Sequence, residues 1–159
     1  RRSGIEVAHS AQWSAQWQTH LAVSTLDARF ADAFTSSSGA VVAEGNRIPG
    51  TMDRQLFAEV LWKPAAWPGF NAAVEAVHMG SMVVDDLNTD RTDATTVFNL
   101  RLAWERGIGP WRLKARLRVD NLADTAYVGS IIANEGNRRF FEPAPGRQWG
   151  LGISATYRF

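Results

Sequence analysis

The stretch 148–159, QWGLGISATYRF, decides the fold because large apolar residues alternate along it with small or polar ones. The large side chains occupy its odd positions, at Trp149, Leu151, Ile153, Tyr157 and Phe159. Successive side chains of a β-strand point to opposite faces of a sheet, whereas a helix repeats about every 3.6 residues. The stretch is therefore predicted to be a strand with one apolar and one polar face.

Six earlier segments show the same alternation, most clearly 111–120, where apolar residues alternate with mainly basic ones. The other five lie at 5–13, 17–30, 55–63, 70–84 and 98–105. The sequence therefore predicts an all-β chain of about seven long antiparallel strands.

The connections between these segments alternate in length. The short ones, rich in turn formers, lie at 14–16, 64–69 and 107–109. The long ones lie at 31–54, 85–95 and 121–146. Because consecutive antiparallel strands place successive connections at opposite ends of a sheet, all short turns share one end. Bacterial outer-membrane barrels have this asymmetry, with short periplasmic turns and long extracellular loops.

The length of the segments also favours a membrane barrel. A tilted membrane-crossing strand needs about 9 to 11 residues, against about 5 to 6 in an average globular strand. In the last strand, Trp149 and Tyr157 lie on one face, about 20 Å apart along the membrane normal. We therefore predict an antiparallel transmembrane β-barrel segment, with Trp149, Tyr157 and Phe159 in aromatic girdles at the membrane surfaces.

Composition excludes several other classes of protein. The 17 basic and 16 acidic residues nearly balance, which disfavours a nucleic-acid partner, and the lack of cysteine excludes thiolate chemistry. No apolar run approaches the roughly 20 residues of a spanning helix. His9, His20 and His78 have no second ligand or carboxylate at a recognisable spacing, and 86–97 lacks the glycine and glutamate of a calcium loop. We therefore predict no metal site, no cofactor and no enzymatic activity.

Two other interpretations remain open from the residues alone. A soluble β-sandwich or lipocalin-like barrel would point the apolar face into a core and bind a hydrophobic ligand or a surface partner. A barrel hydrolase would bring a serine and a histidine together in space. Solubility without detergent would identify the first, and esterase activity lost on replacing one histidine would identify the second.

The strand count indicates a larger assembly. Single-chain bacterial barrels have an even number of strands, from about 8 upwards. With seven strands, no initiator methionine at Arg1 and an aromatic end at Phe159, we expect residues 1–159 to be the C-terminal part of a larger barrel.

Several motifs resemble those of TonB-dependent outer-membrane receptors. Residues 121–127, NLADTAY, resemble the N-L-x-D-x-x-Y signature near the C-terminus of that family. The motifs NEGN at 134–137 and FEPAPGR at 141–147 are similar to its last extracellular loop and the return into the final strand. The terminal YRF is similar to the signal that outer-membrane assembly machinery recognises.

The resemblance implies a bacterial outer-membrane location and a barrel of about 22 strands filled by an N-terminal plug domain. It implies active uptake of scarce ligands, most often ferric siderophores, with energy from TonB. The expected partners are outer-membrane lipid and lipopolysaccharide, the plug domain, the TonB complex and an iron-siderophore-like ligand. The plug and the N-terminal strands would lie outside residues 1–159.

Two groups of residues are candidates for binding. Arg112, Lys114, Arg116 and Arg118 follow one strand face about 7 Å apart, with Glu105, Asp120 and, in a narrow lumen, Glu59 or Glu75 as counter-charges. We expect this basic column to contact carboxylates of the plug, with attraction of an anion as the alternative.

The second group, Arg138, Arg139, Phe140 and Phe141, lies in the last long loop. Arginine and aromatic rings suit an anionic, aromatic iron chelate through charge pairing and stacking. Plain loop packing and contact with lipopolysaccharide phosphates are the alternatives.

Overall fold

The computed structural model describes residues 1–159, and all its regular elements are β-strands. Seven long strands carry the fold: β1 (Arg2–Gln12), β2 (Trp17–Ala28), β5 (Arg54–Trp62), β6 (Phe70–Met79), β7 (Thr95–Ile108), β8 (Trp111–Asp120) and β11 (Gln148–Tyr157). Four short strands lie in the long connections: β3 (Phe34–Thr35), β4 (Val41–Val42), β9 (Val128–Ile131) and β10 (Phe141–Pro143). The chain has no helix capable of spanning a membrane.

The seven long strands form one sheet in the order β1-β2-β5-β6-β7-β8-β11, each antiparallel to its neighbour. This order follows the chain, and the sheet does not close, so β1 and β11 each keep one unpaired edge. The prediction of an all-β, antiparallel segment with seven long strands is confirmed.

The register gives the sheet two chemically different faces. Leu117 pairs with Leu102 on one side and Leu151 on the other, which collects the large apolar side chains on what we call the apolar face. Arg118 pairs with Arg101 and Gly150 on the opposite, polar face. Strands contact only their neighbours within a sheet, and no second layer covers the apolar face. These residues thus form a single layer, whereas a soluble sandwich packs two sheets face to face.

The two ends of the sheet also differ. Residues 13–16, 63–69 and 109–110 form short turns at one end, which we call the short-turn end. Residues 29–53, 80–94 and 121–147 connect the strands at the opposite, long-loop end. The long loops pack on one another there and bury several apolar side chains: Val42, Met82, Val83, Val84 and Phe140.

Two strand boundaries differ from the sequence prediction. The predicted strand 70–84 ends at Met79, and the N–H of Gly80 makes one last bond to the carbonyl of Arg54, over 2.9 Å, before the chain leaves the sheet. The following apolar residues, 82–84, are buried in the loop layer instead. Conversely, β7 begins at Thr95 and continues to Ile108, so the next turn consists of Gly109 and Pro110 alone.

Candidate functional site

An ion-pair network occupies the polar face. Glu59 and Glu75 are paired directly across β5 and β6, and they are only 8% and 6% exposed. Arg101 donates to both carboxylates from β7. Arg118 lies 3.4 Å from Glu75 and 2.7 Å from Asp120. The two arginines thus supply the positive charge opposite two adjacent buried carboxylates and link β5, β6, β7 and β8 through side chains.

The network belongs to a row of polar side chains that crosses five strands, which we call the polar belt. Its members share one register level and are Ser10, His20, Glu59, Glu75 and Asn99. His20 links the first strands to the carboxylates: Nδ1 lies 2.9 Å from the Ser10 hydroxyl and Nε2 lies 3.9 Å from Glu59. The belt therefore joins the strands through side chains as well as through the backbone ladder.

A row of apolar residues lies on the same face, two positions closer to the long-loop end. It consists of Ala8, Ala22, Phe57, Val77 and Val97, which share one register level. Along the polar face, an apolar row therefore lies on the long-loop side of the polar belt, and charged residues lie in the belt and on its short-turn side.

The basic column lies on the polar face of β8, as its alternation predicted. Arg112 and Lys114 both pair with Glu105, and Lys114 Nζ lies 3.2 Å from it. Arg116 is exposed and forms no ion pair. The facing residues of β11 are all small: Gly150, Gly152, Ser154 and Thr156. The column therefore borders open space, with Arg116 as its free charge.

Aromatic side chains cluster at the short-turn end. The ring centroids of Trp17 and Trp62 are 6.0 Å apart, and those of Trp67 and Phe70 are 5.5 Å apart. At the other side of the sheet, Trp111 packs edge-on against Tyr157 at 5.1 Å. We call this group, with Trp62–Trp67 and Tyr157–Phe159 also in contact, the aromatic belt.

Sequence reasoning named Tyr157 and Phe159 as girdle residues but missed the tryptophans at this end. The signal that could have found them is their position, because an aromatic residue lies within a few residues of each short turn. Trp149 lies at the opposite end of β11 and is 66% exposed.

The long loops enclose a cleft of about 460 Å³. Arg138 lines it from a left-handed backbone conformation with φ of 61°, and Phe140 lines it with most of its ring buried. Arg139 and Phe141 are exposed but lie outside the lining. The remaining wall includes the hydroxyl-rich segment 35–38 and three acidic residues: Asp85, Asp86 and Glu135. The structure thus brings two of the four predicted loop residues to a common cleft.

The signature 121–127 forms the base of the last loop. Asn121 is 3% exposed with φ of 53°, and its side chain both accepts from and donates to the backbone of Thr125, each over 2.9 Å. The Asp124 carboxylate accepts from the N–H of Arg147 over 2.7 Å. These two side chains fix the start of the loop and tie it to its return into β11.

Comparison with known proteins identifies the family. The family model for the β-barrel of TonB-dependent receptor-like proteins matches residues 1–122. The fold is similar to that of the siderophore receptor PiuA from Acinetobacter baumannii, with a TM-score of 0.77, 17% identity, and coverage of 96% of this chain and 21% of that one.

It is also similar to BauA, the ferric preacinetobactin receptor of the same organism, with a TM-score of 0.76, 15% identity, and coverage of 98% of this chain and 22% of that one. The chain thus spans about a fifth of the length of these receptors. Since the identities are only 17% and 15%, these two similarities concern the fold alone. The family model, in contrast, matches most of the chain in sequence. The chain belongs to the TonB-dependent receptor β-barrel family.

Proposed function

We propose that this chain forms part of the wall of a bacterial outer-membrane receptor that imports a ferric siderophore or a similar scarce nutrient, with energy from TonB. One observation carries the proposal: the sheet has an uncovered apolar face and a charged polar face. Lipid suits the first face and a water-filled or plug-filled lumen suits the second. Two solved proteins of similar fold are a siderophore receptor and a ferric preacinetobactin receptor, which supports the ligand class.

The two ends of the sheet support an orientation in the membrane. The aromatic belt at the short-turn end suits the periplasmic interface, where amphipathic rings meet lipid headgroups. Trp149, at the long-loop end of β11, suits the outer interface next to lipopolysaccharide. The long loops would then face the external medium.

Uptake by cells tests the proposal directly. We would express the full-length receptor in an iron-limited strain that lacks its own siderophore receptors, and supply radioactive iron on a panel of siderophores. We expect iron accumulation with at least one siderophore, and its loss when TonB is deleted. No accumulation with any siderophore, or accumulation that persists without TonB, would contradict the proposal.

The basic column is proposed to contact carboxylates of the plug domain. Support comes from Arg116, an unpaired cation whose neighbours across the strands are the small residues Gly152 and Ala103. Arg112, Lys114 and Arg118 already have acidic partners in the sheet, so they add less positive charge to the surface around Arg116.

An Arg116→Glu substitution should therefore weaken plug retention about tenfold, because reversing one exposed charge pair costs about 1 to 2 kcal/mol. Plug release can be measured by protease sensitivity of the plug in the full-length receptor, together with the uptake rate. Arg106→Glu is the control, because Arg106 is also exposed and unpaired but lies on the apolar face near the short turn. Unchanged plug retention and uptake in Arg116→Glu would argue against the contact.

The loop cleft is proposed to contact the ligand through Arg138 and Phe140, with Arg139 and Phe141 beside it. Support comes from the cleft geometry and from the absence of any ion pair at either arginine. An Arg138→Ala, Arg139→Ala variant should bind an anionic ferric siderophore about tenfold more weakly, since a charge-assisted hydrogen bond contributes about 1.5 to 3 kcal/mol.

Affinity can be measured on detergent-solubilised full-length receptor with Arg147→Ala, in the same loop but outside the cleft lining, as the control. Unchanged ligand affinity in the double variant would remove these arginines from the site. A loss of bound lipopolysaccharide without a loss of ligand affinity would assign them to the lipid instead.

A further inference from the structure

Asn99 joins the polar belt to the base of the last long loop. It lies on the polar face of β7 and is 8% exposed. Its Nδ2 donates to Glu75 Oε2 over 3.3 Å, and its Oδ1 accepts from the backbone N–H of Asn121 over 3.0 Å. The two ends of one amide group thus face a charged network on one side and a loop anchor on the other.

On the loop side, the connection runs through a single residue, Asn121. Asn121 is almost fully buried, and its side chain holds both backbone groups of Thr125. It also reaches the carbonyl of Pro145, at the far end of the same loop, over 3.5 Å. A displacement of Asn121 therefore affects the start and the return of segment 121–147 together.

The charged side of the connection is shared among several partners. Glu75 Oε1 binds Arg101, while Oε2 is divided between Asn99 at 3.3 Å and Arg118 at 3.4 Å. Both Oε2 contacts are longer than the usual 2.7 to 3.2 Å for nitrogen–oxygen hydrogen bonds, so they are easily redistributed. A charged group that pairs with Arg118 or Glu75 from the open face changes how firmly Asn99 is held.

We propose that Asn99 is a positioning residue that couples the ion pairing of Glu75 to the stability of the last long loop. The proposal takes one assumption from the proposed function, namely that the polar face lines the lumen. Charged groups of a plug or ligand can then reach Glu75. Since coupling between two sites is reciprocal, ordering of the loop also strengthens the pairing of Glu75.

Hydrogen exchange in the full-length receptor, reconstituted in lipid nanodiscs without ligand, tests the coupling through a double-mutant cycle. Glu75→Gln removes the charge but keeps the shape of the side chain. It should speed exchange of the Asn121 and Thr125 amides about tenfold in the wild-type background, which corresponds to about 1.4 kcal/mol. In an Asn99→Ala background, the same substitution should change their exchange less than twofold.

A second variant protects the test against a failure of Asn99→Ala to assemble. Asn99→Asp keeps an oxygen acceptor for Asn121 but places a second negative charge beside Glu75, so in this background Glu75→Gln relieves a repulsion and should slow rather than speed exchange. The matched control is Asn71→Ala, because Asn71 lies on the polar face of β6 and makes no side-chain hydrogen bond. It should leave residues 121–127 unchanged.

Additive effects of the Glu75 and Asn99 substitutions on residues 121–127 would overturn the proposal. So would unchanged exchange there in Glu75→Gln, or an acceleration that is equal in the short turn 63–69 at the opposite end of the sheet. Because the measurement uses no ligand and no transport, its outcome is independent of whether uptake of a ferric siderophore is observed.

Discussion

An Ile153→Arg substitution is expected to destabilise the receptor in a bilayer by about 2 to 4 kcal/mol, the cost of a cationic side chain near the bilayer midplane. Ile153 lies near the middle of β11 on the apolar face, and its side chain is 78% exposed in the chain itself. So exposed a side chain contacts little protein, and in water an arginine at this position would change stability by only about 0.5 kcal/mol. The size of the effect therefore reports contact with lipid hydrocarbon.

Urea unfolding of the full-length receptor in phospholipid vesicles measures this effect. Ser154→Arg is the matched control, because Ser154 is the next residue of the same strand and points to the polar face. We expect it to change the free energy of unfolding by less than about 1 kcal/mol. Equally small losses in both variants would contradict a lipid contact at Ile153.

The Arg101→Ala substitution is expected to destabilise the folded receptor by about 3 to 5 kcal/mol, because it leaves buried charges uncompensated. Arg101 is the shared partner of Glu59 and Glu75, and both carboxylates are less than a tenth exposed. After its removal, the nearest cation to Glu75 is Arg118, at 3.4 Å, with the neutral amide of Asn99 at 3.3 Å, and Glu59 keeps only His20, at 3.9 Å.

The same unfolding measurement checks this prediction, with Arg106→Ala as the control. Arg106 lies on the same strand but is exposed and unpaired, so we expect a change within about 0.5 kcal/mol. Adding Glu59→Gln and Glu75→Gln to Arg101→Ala should recover part of the loss, since neutral amides cost less to bury than unpaired charges. A loss below about 1 kcal/mol for Arg101→Ala would mean that water or other cations already compensate the carboxylates.

The sequence predicted the strands whose two faces differ most in chemistry. In β8 and β11, large apolar residues alternate with arginines or with glycines and small polar residues, so only a period of two fits. The start of β7 was missed because Thr95 and Thr96 give no contrast between faces. Residues 82–84 were assigned to a strand because they are apolar, although they are buried in the loop layer instead. Such burial depends on tertiary packing, which local periodicity does not encode.

The polar face could be predicted in part. Alternation placed Arg112–Arg118 on one face, and Glu75, Glu105 and Asp120 were recognised as possible counter-charges. The contact of Asn99 with Asn121 could not be predicted, because it depends on the exact register of β7 and β8. The prediction that the chain is not an enzyme is confirmed by its membership of a receptor family.

The central claim is that the apolar face of the sheet contacts lipid while the polar face lines an aqueous lumen. Residues 1–159 contain no cysteine, so single cysteines can be introduced along β11 once any cysteine elsewhere in the full-length receptor is replaced by serine. We would place them at each position from 149 to 156 in the full-length receptor in intact outer membranes. Each variant is then treated with a small, membrane-impermeant thiol reagent after release of the plug with urea.

Labelling is predicted to alternate with a period of two. Cysteines at 150, 152, 154 and 156 should react, and those at 149, 151, 153 and 155 should be protected, most strongly at 151 and 153 near the middle of the membrane. Uniform reaction along the strand, or protection of the even positions with reaction of the odd ones, would contradict the account.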